Sequence, residues 1–260
     1  LKMKPVSPAA NAFEQLILDL TPRYGAGEAR SIARIVYEDA FGTRRPAEKV
    51  FSPEEEQRFL QIRQRLLSGE PVQYVLGQAD FFGLKYTVTP AVLIPRQETE
   101  ELVAWVLEWL KQTEKKTPAV LDIGLGSGCI AVTLKVKRPD IRLFGLEIST
   151  KALPVATENA RRLLSNTTFQ FYAGDILNPE AAENFPPLDV IVSNPPYIPR
   201  QEHALMPDHV LAHEPEIALF VDDDDPLIFY RAIAAFARQK LSIGGALFFE
   251  CNEFNAGEVA

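Results

Sequence analysis

The sequence predicts an α/β chain: a doubly wound, largely parallel sheet preceded by a small helical bundle and a hairpin linker. Three observations carry this expectation. From Pro118 onward, short apolar runs alternate with amphipathic helical stretches, as in a parallel sheet covered by helices on both faces. Residues 1–75 show helical spacing only. Between these regions lies Phe81 to Pro90, rich in aromatic and β-branched residues with Gly83 at a turn position.

Taken in order, Phe13, Leu16, Ile17 and Leu20 recur at helical spacing, as do Ala29, Ile32, Ala33, Val36 and Tyr37. Ser52-Pro53-Glu54-Glu55 is a helix start: Ser52 caps, Pro53 suits the first helical position and Glu55 completes a capping box. Gly69 is placed to end that helix. The helical domain is assigned to residues 1–75 and the hairpin linker to 76–98. The remaining domain, 99–260, opens with a helix expected to bury Leu102, Val103, Trp105, Val106 and Leu110. Strands follow at Ala119–Ile123, Ile141–Leu146, Phe169–Tyr172, Asp189–Ser193 and Ala246–Cys251. Helices are expected at Cys129–Val136, Lys151–Leu164 and Leu227–Lys240.

Bulk properties narrow the partners. The net charge of −8, with no Lys/Arg run longer than a pair, argues against a nucleic-acid-gripping surface. Two cysteines, Cys129 and Cys251, form no metal or disulfide pattern, which suits a reducing compartment. Lys2 and Lys4 are followed by Pro5, Ser7 and Pro8, not by an apolar segment, and no run approaches the ~20 residues of a membrane span. A cytoplasmic protein without membrane contact is expected. His209 and His213 have i, i+4 spacing, but no third ligand accompanies them, so no metal is assigned.

Two loops carry the chemistry. Leu121-Asp122-Ile123-Gly124-Leu125-Gly126-Ser127-Gly128 joins the first sheet strand to its helix. Glycines there let a ligand approach main-chain atoms. Gly-x-Gly-x-Gly differs from the dinucleotide pattern, and a carboxylate at Asp122 suits an ammonium group or loop amides better than a pyrophosphate. Glu147 ends the next strand, 19 residues after Gly128, where an acidic side chain can accept from ribose hydroxyls. Gly174-Asp175-Ile176 ends the one after. Together these predict a nucleoside-type ligand.

Asp189 to Ser193 runs into Asn194-Pro195-Pro196-Tyr197 on the same sheet edge. An amide or exocyclic amine nitrogen has a delocalised lone pair, so a site that alkylates it must hold it in line. Asn194 can offer its side-chain oxygen and Pro195 its carbonyl to the two N–H bonds. Those oxygens also stabilise positive charge developing on the nitrogen. The prolines stiffen the loop, and Tyr197 can lie against a planar group.

With these residues the chain resembles the bacterial peptide chain release factor N5-glutamine methyltransferases. Glu70-Pro-Val-Gln-Tyr-Val-Leu-Gly77 is similar to the family's signature at the end of its helical domain. Leu93-Ile-Pro-Arg-Gln-Glu-Thr-Glu100 is similar to the segment entering its catalytic domain. Asn194 to Tyr197 with Ile198-Pro199, and Glu214-Pro215 with Ala218-Leu219, match as well. The resemblance implies a class I (Rossmann-like) methyltransferase fold. It implies transfer of a methyl group from S-adenosylmethionine to the glutamine amide of a Gly-Gly-Gln motif in release factors. It also implies that Asp122, Gly124 to Gly128, Glu147, Asp175, Ile176 and Asn194 contact cofactor, while Asn194 to Tyr197 hold the glutamine, with Asn194, Pro195 and Tyr197 catalytic. Phe81, Phe82, Arg96 and Thr99 would line the transfer pocket. Glu147 stands where the family usually has Asp, and Gln97 replaces a usual proline. The resemblance further implies a pair of strands beyond the one ending near Cys251, where this sequence stops at Ala260. A monomer without direct nucleic-acid contact is expected. The competing readings are a ribosomal-protein glutamine methyltransferase, an N6-adenine methyltransferase, and a cofactor-binding module without catalysis.

Overall fold

The structure, a computed structural model, describes residues 8–164, 168–252 and 256–259. The chain divides into two compact units, residues 1–77 and 78–260.

The first unit is helical: α1 (Pro8–Phe41), α2 (Pro53–Leu67) and α3 (Val72–Leu76). The periodic residues from Phe13 to Tyr37 are buried as their spacing predicts, and Phe59, Ile62 and Leu66 join them. α1 is broken at Gly25 (φ 76°, ψ 160°). The capping box forms as expected: Glu55 N–H donates to Ser52 Oγ at 3.2 Å and Ser52 N–H to Glu55 Oε2 at 3.0 Å. The Glu70–Gly77 segment has a mechanical role. Arg65 pairs with Glu70 and donates to the carbonyls of Val75 (2.9 Å) and Tyr74 (3.1 Å), fastening α3 to α2.

In the second unit β1 (Gln78–Phe81) and β2 (Leu84–Thr87) form the expected hairpin, antiparallel with Phe81 opposite Leu84. Both turn residues have positive φ, Phe82 at 51° and Gly83 at 76°. That conformation is ordinary for glycine and strained for phenylalanine. The Phe82 N–H donates to Glu100 Oε1 at 2.7 Å, which holds the strained residue in place.

After α4 (Glu98–Gln112) come β3 (Ala119–Ile123), α5 (Cys129–Lys137), β4 (Arg142–Glu147), α6 (Ala152–Leu163) and β5 (Phe169–Ala173). β6 (Leu188–Ser193), β7 (Ile198–Pro199), α7 (Asp208–His213) and β8 (Phe220–Val221) follow, then α8 (Ile228–Lys240), β9 (Leu241–Phe249) and α9 (Ala256–Val259). The main sheet has the order β5-β4-β3-β6-β9 and is parallel throughout. The order reverses between β3 and β6, so a crevice opens outside their carboxyl ends. β3 and β6 are fully buried, as expected for strands covered on both faces. β7 pairs with β8 in a separate two-stranded sheet.

Two expectations need correction. Trp105 is 60% exposed, whereas Leu102, Val103, Val106 and Leu110 are buried; it lies off their stripe on α4. The last strand begins at Leu241, not Ala246, directly after α8. Leu241 already pairs with Leu188, and the register then shifts so that Val190 faces Ala246. Gly244 and Gly245 lie inside this strand, before Ala246.

Asn159 on α6 locks three segments together. Its Nδ2 donates to the carbonyls of Thr87 and Ser127, both at 2.9 Å, and its Oδ1 accepts from Thr87 N–H at 2.8 Å. It is fully buried, so Asn159→Ala strands backbone groups of β2 and of the Ser127 loop. The expected loss is roughly 1–3 kcal/mol, read as a lower urea midpoint with unchanged slope.

Candidate functional site

The carboxyl ends of β3, β4, β5, β6 and β9 share one edge of the sheet, and a cavity of about 300 Å³ lies there. Its wall includes Gly124, Leu125, Gly126, Ser127, Glu147, Asp175, Ile176, Asn194, Pro195 and Pro196. Arg96 and Thr99 join from the segment entering α4, together with apolar Leu93, Ile94, Ile130 and Phe229. The topology therefore gathers on one wall residues drawn from the glycine loop, three later strand ends and the 93–100 segment.

The glycine loop turns on positive φ at Gly124 (81°), Gly126 (52°) and Gly128 (77°). A Cβ on Gly128 would stand 3.2 Å from that of Ala156, so the glycine lets α6 approach the start of α5. Nothing lies within 4 Å of where a Cβ on Gly124 or Gly126 would point. Glu147, buried, accepts from Gly126 N–H and Ser149 N–H, both at 2.8 Å, and so ties the loop to the end of β4. Asp175 Oδ1 accepts from Leu177 N–H at 2.8 Å. A cavity with glycine backbone on one side, a carboxylate acceptor at its edge and apolar walls fits a nucleoside: hydroxyls on the acceptor, a base between apolar side chains.

Asp122 behaves differently from its expected role. It is fully buried and does not line the cavity; its Oδ2 accepts from Ala131 N–H on α5 at 3.1 Å. Burial, reinforced by the nearby Glu147 charge, pushes its carboxyl up to about 8. Its Oδ2 holds the first turn of α5, and its Oδ1 has no hydrogen-bond partner among the described residues.

Asn194 follows β6 and reaches the cavity with Pro195 and Pro196. Its Nδ2 lies 3.4 Å from Thr99 Oγ1, which itself donates to Glu250 Oε2 at 2.7 Å. The Asn194 and Tyr197 side chains also lie near the Glu250 carboxylate. Tyr197 is half-buried and does not line the cavity. Phe82 is also absent from the wall. It packs on the core beside Phe81 and α4, with Lys137 Nζ 5.4 Å from its ring centroid. Phe81 is a buried core residue. The turn carries both phenylalanines away from the cavity because their strand pairs with β2 and packs on the main core.

Arg96 pairs with Glu214, whose other oxygen accepts from Ile94 N–H at 3.1 Å. The Glu214 side chain is only 1% exposed, so this contact seats the cavity-lining 93–96 segment against the chain after α7. His203 stacks on Phe220, with ring centroids 5.3 Å apart, in the region preceding it. Sequence reasoning missed Glu250. It follows a strand with no motif around it, and only the sheet register brings it to the site.

Comparison with known proteins agrees with this geometry. Residues 102–216 match the Methyltransferase small domain, and residues 12–77 match the PrmC N-terminal domain. A release factor glutamine methyltransferase from Flavobacterium psychrophilum is 39% identical over 251 residues, covering 94% of this chain and 86% of the relative. One from Geobacter sulfurreducens is 37% identical, covering 90% and 82%. Among solved structures, the hMettl16 catalytic domain in complex with MAT2A 3'UTR hairpin 6 matches with a TM-score of 0.50 at 17% identity. It covers 80% of this chain and 72% of that one, a likeness of fold alone.

Proposed function

This chain belongs to the release factor glutamine methyltransferase family, and we propose that it methylates the Gly-Gly-Gln glutamine of release factors through the cavity around Asn194. The observation that carries this reading is the meeting of Asn194-Pro195-Pro196 with the glycine loop and Glu147 on one cavity wall. S-adenosylmethionine, when bound, supplies a methyl group activated by its positive sulfur. In this reading Glu147 would accept from the ribose hydroxyls, and Gly124 to Gly128, Asp175 and Ile176 would hold the rest of the cofactor.

Asn194 Oδ1 and the Pro195 carbonyl accept the two N–H bonds of the glutamine amide and hold its nitrogen in line. Once the bound cofactor supplies its methyl group, those oxygens would face the positive charge growing on the amide nitrogen. The methylated amide then loses its extra proton to solvent, so no strong base is required at the site. The cavity's apolar walls exclude water from the transfer.

The partner in this reading is a folded release factor, bound by a monomeric, cytoplasmic enzyme without direct nucleic-acid contact. The net charge of −8 supports the last point. No helix among the described residues is long and apolar enough to cross a membrane. The test is methyl transfer from labelled S-adenosylmethionine to purified release factor and to a copy with the Gly-Gly-Gln glutamine changed to alanine. Label on the first alone is expected. Label on both, or on neither while cofactor still binds, would reject the assignment.

A further inference from the structure

We propose that Glu250 is a positioning residue: its carboxylate fixes the Asn194 amide with the NH2 turned inward and the oxygen turned to the cavity. The inference rests on the reading above, in which Asn194 holds the accepting nitrogen.

The sheet brings the two residues together. β9 runs parallel to β6 with Ser193 opposite Phe249, and Glu250 N–H donates to Ser193 O at 3.1 Å. Asn194 and Glu250, each one residue past its strand, are therefore neighbours. Tyr230 on α8 donates its hydroxyl to Glu250 O at 3.1 Å, so the backbone here is held from the other side as well.

The hydrogen-bond inventory then selects one amide orientation. An ionised carboxylate only accepts. Thr99 spends its proton on Glu250 Oε2, which leaves only lone pairs toward Asn194. The Tyr197 side chain lies near the same carboxylate. Asn194 thus faces the Thr99 lone pairs, with the Glu250 carboxylate beside them, and only its NH2 suits such acceptors. A flipped amide would press Oδ1 against both and turn its NH2 toward the substrate NH2, donor against donor. The two states differ by a rotation that changes no shape, so a group that chooses between them governs turnover without governing the fold. Burial, with the Glu98 charge nearby, raises the Glu250 carboxyl above the ordinary glutamate range, while the donors from Thr99, Asn194 and Tyr197 oppose that rise. The orientation requires the ionised form, so it holds above that raised carboxyl pKa and is lost as the pH falls through it.

Glu250→Gln keeps the shape and removes the acceptor-only character. The experiment measures kcat for release-factor methylation, with both substrates saturating, in wild type, Glu250→Gln, Asn194→Ala and the double variant. S-adenosylmethionine affinity serves as the check on folding. Glu250→Gln is expected to lower kcat by ~10–100-fold, the size of one hydrogen bond to a charged group. In the Asn194→Ala background the same change should cost less than about threefold, because the residue it positions is gone. Equal fold-losses in both backgrounds would overturn the proposal, as would full activity of Glu250→Gln. If Asn194→Ala alone leaves turnover intact, the site reading fails and this inference with it. Should Glu250→Gln not fold, Thr99→Val carries the same cycle, with an expected loss of about 3–10-fold that also vanishes without Asn194.

Discussion

Asn194→Ala is expected to reduce kcat by ~10²–10³ while leaving S-adenosylmethionine affinity within about twofold. The asymmetry follows from what the side chain does. In the ground state its oxygen makes one hydrogen bond to a neutral amide, which water could replace. In the transition state the same oxygen faces a nitrogen gaining positive charge, inside an apolar cavity where that interaction is strong. The groups proposed to hold the cofactor lie on other elements: the glycine loop after β3, Glu147 at the end of β4, and Asp175 after β5. Removing Asn194 leaves the hydrogen bond from Thr99 to the Glu250 carboxylate in place. The fold should therefore survive. Single-turnover methyl transfer and equilibrium cofactor titration on the same preparation separate the two effects. A cofactor affinity that collapses along with turnover would place Asn194 in cofactor binding and remove its assigned role.

Which parts of this site were legible in the sequence depends on how local their cause is. A glycine loop between a strand and a helix is written in consecutive residues, as are Glu147 and Asp175 at strand ends, and a parallel sheet must bring such ends to one edge. The capping box at Ser52 and the hairpin turn at Gly83 are equally local. Glu250 is not. Its place beside Asn194 depends on pairing across some fifty-five residues of chain, with a register shift between Leu188 and Val190 that no periodicity announces. Asn159 escaped for the same reason: it reads as one polar residue on a helix, and only packing shows that it binds β2 and Ser127. Trp105 and Phe82 show the converse. Aromatic side chains invite a buried or functional reading, but the stripe on α4 leaves the first exposed, and the turn spends the second on core packing. Asp122 was visible beside the loop, yet which way a carboxylate turns from a fully buried strand is a tertiary fact.

Glu147→Ala should raise the dissociation constant for S-adenosylmethionine by ~10²–10³, with kcat at saturating cofactor changed far less. Two hydroxyl hydrogen bonds to a charged acceptor account for about 3–4 kcal/mol at the lower end of the range for such bonds. A second loss adds to this. In the present structure the Glu147 carboxylate holds Gly126 N–H and Ser149 N–H, so its removal also frees the glycine loop that passes under the ligand. Glu147→Asp separates the two contributions. A shorter carboxylate can still accept from a ribose but draws back from Gly126, so its penalty should be that of the loop tether alone, about tenfold. Thermal unfolding with and without cofactor gives an independent reading, because stabilisation by a ligand depends on the ratio of its concentration to its dissociation constant. At a concentration near 100 times the wild-type constant, the wild type gains ~2.7 kcal/mol and Glu147→Ala well under 1. A variant that loses turnover while keeping this cofactor-dependent stabilisation would move Glu147 from holding the ribose to shaping the loop for transfer.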